Sequence, residues 1–114
     1  MVGKEKQKVK LVIPPECQIG AHTFQIRYSD KIMEVMGTRG GCEYLEQHII
    51  RLKTNRPASA TFQTLLHEAT HLITMLYNPE LKEEDIWTIG AVLCQFLMSL
   101  GIEPDFSQIL EEEL

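Results

Sequence analysis

From Pro57 or Ser59 to about Tyr77, the apolar residues Phe62, Leu65, Leu66, Ala69, Leu72, Ile73 and Leu76 recur at steps of three and four. That spacing draws one stripe along an α-helix, and the stripe must face a core. Asn78-Pro79 supplies the stop, because the residue before a proline is driven out of helical geometry. At about 100° per residue, Thr64, His67 and His71 fall nearly opposite the stripe. A second helical pattern follows, with Ile86, Ile89, Gly90, Leu93, Phe96, Leu97 and Leu100 on one broad face and Gly101 and Pro104 as its end.

The first half of the chain has a period of two instead. Phe24, Ile26 and Tyr28 alternate with Gln25, Arg27 and Ser29, which predicts a half-buried strand. His22 shares the parity of Phe24 and reads as a strand-end residue. Residues 9–13 form a short β-branched stretch closed by Pro14-Pro15, neither of which can donate to a ladder. Ser29 or Asp30 caps a short helical turn carrying Ile32, Val35 and Met36, and residues 37–41 form a turn. Two β-like pieces, 42–45 and 48–53, flank Glu46-Gln47 as a hairpin. In the second, Ile50 and Leu52 share one face while Arg51 and Lys53 share the other, a pattern expected of an exposed sheet edge. Residues 1–8 and 105–114 read as flexible tails.

At 114 residues, with 44% hydrophobic and 24% charged side chains, the chain predicts one soluble globular domain. Its net charge of −5 excludes the basic footprint of a nucleic-acid binder. The apolar run behind the N-terminal lysines is only Leu11-Val12-Ile13, too short for a signal peptide or a membrane span. Cys17, Cys42 and Cys94 form an odd set without a Cys-x-x-Cys pair. This argues against a disulfide scaffold or thiolate zinc site and predicts a cytoplasmic protein.

Within the first helix stands His67-Glu68-Ala69-Thr70-His71. Residues four apart lie one turn above each other, so His67 and His71 can offer two imidazole nitrogens to a single ion. Glu68 projects about 100° round from His67, where its carboxylate could take a proton from a water held by that ion. Solvated histidines on an ordinary amphipathic helix would suit the same phase.

A catalytic zinc usually has three protein ligands and an open position. The second helix offers Glu83, Glu84 and Asp85 in its first turn. Glu83 stands three residues before Ile86 and seven before Gly90, so it continues the apolar stripe and is favoured as third ligand, with Glu84 next. All three acids also suit the positive end of the helix dipole.

Lys10 to Pro14, the strand from Gly20 to Tyr28, Gly41-Cys42-Glu43-Tyr44, His48 to Leu52, Gln63 to His71 and Glu83 to Ile86 together resemble the small phage and bacterial metallopeptidases of the ImmA/IrrE-type gluzincin class. The likeness spans about residues 9–101 and is most specific from Gln63 to His71. In that class a glutamate stands seven residues before a small residue of the next helix, usually Ala, where this chain has Gly90. The resemblance implies an α+β, minimal zincin-like fold in which a small, mostly antiparallel sheet packs on the motif helix, with the last helix beside it. It also implies a zinc-dependent peptidase with His67, His71 and Glu83 as ligands and Glu68 as general base. A peptide or protein substrate would add as a strand at His48, Ile49, Ile50 and Arg51. Tyr77 is a candidate oxyanion stabiliser only if the helix end bends toward the cleft. No nucleic-acid or membrane partner is expected, and the sequence does not fix the oligomeric state. The alternative is a catalytically silent zincin-like interaction or regulatory module, against which the presence of Glu68 argues.

Overall fold

A computed structural model of the chain describes residues 7–36, 41–44, 46–78 and 80–113. Its elements run β1 (Val9–Val12), β2 (Glu16–Ile19), β3 (His22–Tyr28), α1 (Asp30–Met36), β4 (Gly41–Tyr44), β5 (Ile49–Leu52), α2 (Ala58–Tyr77), α3 (Glu83–Ser99), β6 (Ile102–Asp105) and β7 (Leu110–Glu111). The class is α+β. Of the turn expected at 37–41, residues 37–40 lie outside the described residues and Gly41 instead opens β4; the strand end at Leu45, the break at Pro79 and residues 1–6 of the start expected to fray over 1–8 also lie outside them.

The alternating stretch that begins at His22 forms β3, with Phe24 and Ile26 fully buried. β3 organises the main sheet, whose order is β2-β3-β5-β4, with β7 also paired to β3. β4 and β5 form the expected antiparallel hairpin. The inner strand of that hairpin is β5, which runs parallel to β3 with Gln25 opposite Ile49 and Tyr28 opposite Leu52. The sheet is therefore mixed rather than mostly antiparallel: β2 pairs β3 antiparallel, whereas β7 joins β3 in parallel. A separate parallel pair joins β1 to β6. α2 crosses the sheet, and Phe62, Leu65 and Leu72 meet Phe24, Ile26, Ile50 and Leu52 in one core that Cys94 of α3 also enters. Full burial of each large apolar side chain contributes about 1.5–3 kcal/mol.

Three readings of the pattern are corrected here. The alternation at 48–53 does not mark a sheet edge, because β5 lies between β3 and β4. Ile49, Ile50 and Arg51 are buried, so the charge on this strand is satisfied inside the protein. Residues 105–113 are no flexible tail either: Ile109 joins the core and β7 extends the sheet. Finally, only Ile86, Gly90 and Cys94 of α3 are buried, while Ile89, Leu93, Phe96 and Leu100 of the expected broad face are exposed.

The charge on β5 explains the order at the C-terminus. Arg51 Nε donates to Glu112 Oε1 at 2.7 Å and its Nη2 to Glu112 Oε2 at 2.9 Å. Ser29 Oγ donates to the same carboxylate at 2.5 Å, and Gln47 Oε1 accepts a further bond of 2.9 Å from Arg51 Nη2. The bond from Arg51, followed by that from Ser29, holds the Glu112 carboxyl below the usual carboxylate range despite its partial burial. Removing one partner of a buried pair leaves the other charge uncompensated, so Glu112→Ala is expected to lower unfolding stability by about 3 kcal/mol in a denaturant titration. The wild type should lose the same contribution in acid. A depressed folded pKa gives stability that is complete above the unfolded value of about 4.3 and vanishes as pH falls through the folded value. The variant should therefore show a shallower acid limb.

Candidate metal centre

α2 sets the two histidines, and the turn after it brings the acid. Asn78 N–H closes the helix on Thr74 O at 2.9 Å, and a short connection leads to α3, which begins at Glu83 and runs back along α2. The two helices approach closely where α3 has no side chain. A Cβ placed on Gly90 would stand 3.1 Å from His67 Cα and 3.2 Å from His67 N. Such contacts are tighter than ordinary packing, so glycine at this position lets α3 lie against the backbone of the motif.

This packing brings Glu83 to the histidines. His67 Nε2 and His71 Nε2 are 3.2 Å apart. Glu83 Oε1 lies 3.3 Å from His67 Nε2, and Glu83 Oε2 lies 2.9 Å from His71 Nε2. Among the described residues, these three form the group of ligating side chains able to hold a metal ion. A tetrahedral ion with bonds of about 2.0–2.1 Å needs ligand atoms about 3.3 Å apart. The triangle of donors has nearly that edge, and two imidazoles with one carboxylate suit zinc. Glu84 and Asp85, on the same turn, do not join the group. Successive helical residues diverge by about 100°, and only Glu83 shares the side of Gly90.

Glu68 leaves the helix on the other side of the histidines. It is buried, and its aliphatic part lies against β4: a Cβ on Gly41 would stand 3.3 Å from Glu68 Cγ, 2.6 Å from Thr64 Cγ2 and 2.9 Å from Arg51 O. Gly41 thus allows an edge strand to run directly beside the motif helix. His67 and His71 are half-buried on a helix that packs against β4 and against α3. The phase argument that put the histidines away from the main core is correct, but they are not on a free helix surface.

Sequence reasoning put Gly41 in a turn rather than in a strand beside the motif helix, and it passed over Trp87. Trp87 is one turn beyond Glu83, and its ring meets His67 edge-on at a centroid distance of 5.6 Å while remaining exposed. Its spacing of four from Glu83 was the available signal, since a residue at that step must share the acid's face. The expected substrate residues are placed elsewhere. His48 sits at positive φ in the turn before β5, its ring 5.2 Å from that of His22 and 5.4 Å from that of Phe24. Ile49, Ile50 and Arg51 are buried in a strand already paired on both edges. β4 is the edge strand beside the motif. Tyr77 ends in contact with the β2–β3 turn, where a Cβ on Gly20 would collide with its hydroxyl, so its ring is engaged there and not at the histidines.

No helix among the described residues is long and apolar enough to cross a membrane. Comparison of the chain with family models, curated proteins and solved structures gives no match.

Proposed function

We infer that the protein is a zinc-dependent peptidase of the gluzincin kind, and the observation that carries this reading is the donor triangle of His67, His71 and Glu83 with Glu68 next to it in the sequence. His67 and His71 would hold the ion from one helix face and Glu83 would complete the set from α3. Bound there, zinc supplies Lewis-acid polarisation of a water and of the scissile carbonyl. The remaining chemistry belongs to the chain. Glu68 accepts a proton from the attacking water and returns it to the amine as the C–N bond breaks, so that one water is consumed for each acid and amine formed. Its side chain is buried with its Cγ close to Gly41 of β4.

An extended peptide suits a centre beside the edge strand β4, because its backbone can bond to that strand while alternate side chains point to the helices. Trp87 would form an apolar wall for one of those side chains. The test is hydrolysis of a library of unstructured peptides, read by mass spectrometry, with the zinc-loaded protein. Cleavage that stops with a chelator and returns with added zinc is the expected result. A zinc-loaded protein that leaves the whole library intact would favour the silent binding module.

A further inference from the structure

α3 carries a second apolar stripe that the described residues leave uncovered. Ile89, Val92, Leu93, Phe96 and Leu100 are 41%, 56%, 40%, 56% and 57% exposed, and their spacing of three, four and seven puts them on one side of the helix. From Ile86 to Ile102 the sequence contains no Asp, Glu, Lys or Arg. A solvated helix face ordinarily carries charges, whereas the centre of a protein interface is depleted of them. A membrane surface is a poor occupant, since α3 has no basic residue and begins with three acids.

We propose that this stripe is the interface of a twofold homodimer in which α3 packs antiparallel on α3 of a second copy. The helix is self-complementary in that arrangement. A twofold axis between Val92 and Leu93 sets Ile89 of each copy against Phe96 of the other and Leu100 against Asp85 at the ends, so no like charges are brought together along the stripe. Twofold pairs are the commonest oligomers, and their interfaces use the same patch twice. The five side chains expose on the order of 500 Å² per copy, so pairing buries about 1,000 Å² in all, the lower bound of a specific interface. By helical phase the stripe is centred more than 100° from Glu83 and Trp87. Dimerisation therefore leaves the metal centre open, and the proposal does not depend on the peptidase reading.

Sedimentation equilibrium at roughly 100 μM, above the micromolar constants of modest interfaces, should give twice the 13.1 kDa chain mass. Val92→Glu and Phe96→Glu should each return the mass to that of one chain with unchanged helical circular dichroism. Gln95→Glu, on the other flank, should stay dimeric. A wild-type chain of single mass at that concentration overturns the proposal and leaves the stripe to a different partner. So does a dimer that survives both Val92→Glu and Phe96→Glu, because the contact must then lie elsewhere.

Discussion

Glu68→Gln is expected to retain zinc at one ion per chain and to lose about 10²–10⁴-fold in peptide hydrolysis, the range that a positioned acid–base group contributes. The amide keeps the shape of the side chain and its packing against Gly41, where the contact is with the aliphatic Cγ. It cannot accept the proton of the attacking water. Zinc content measured on the purified variant separates the two roles. If zinc disappears along with activity, Glu68 holds the metal or the fold, and the division of labour between it and the histidines is wrong. Burial of Glu68 beside the edge strand makes the comparison with alanine informative: Glu68→Ala removes the packing as well and should also lower thermal stability, whereas the glutamine variant should not.

The grouping of His67, His71 and Glu83 was legible because it rests on local periodicity. His67 and His71 share a face at any packing of α2, and the choice of Glu83 over Glu84 and Asp85 required only the phase of α3 relative to Ile86 and Gly90. What failed was what depends on partners distant in the chain. The charged alternation on β5 looked like an edge because Arg51 has its carboxylate partner 61 residues away at Glu112, and no local pattern announces a partner at that distance. The same blindness turned residues 105–113 into a tail. β2 was missed although Cys17 and Ile19 alternate with Glu16 and Gln18, since four residues between a proline and a glycine are too few for periodicity to decide. On α3 the pattern showed an apolar face without showing what covers it. The contact at Gly90 draws only the Ile86–Gly90–Cys94 line against α2, leaving Ile89, Leu93 and Phe96 outside.

His67→Ala and His71→Ala are expected to abolish stoichiometric zinc at neutral pH, because the remaining imidazole and one exposed carboxylate cannot form a three-ligand site. Glu83→Ala should weaken zinc beyond the 10–100-fold cost typical of losing a group that merely orients a ligand. Glu84→Ala and Asp85→Ala should leave affinity within a few-fold, since they act only through the helix dipole. The readout can be thermal as well as analytical. A ligand that binds only the folded state stabilises it by about 2.7 kcal/mol at a hundred times its dissociation constant, so zinc should raise the melting temperature of the wild type and of the Glu84 and Asp85 variants. It should raise that of neither histidine variant. The contrast among the three acids is the sharpest part, because all three occupy one helical turn and would have equal effects if the turn served only as a cap. Equal, mild losses would reduce the centre to two histidines on α2, and the donor triangle would then be an ordinary hydrogen-bonded cluster at the meeting of two helices.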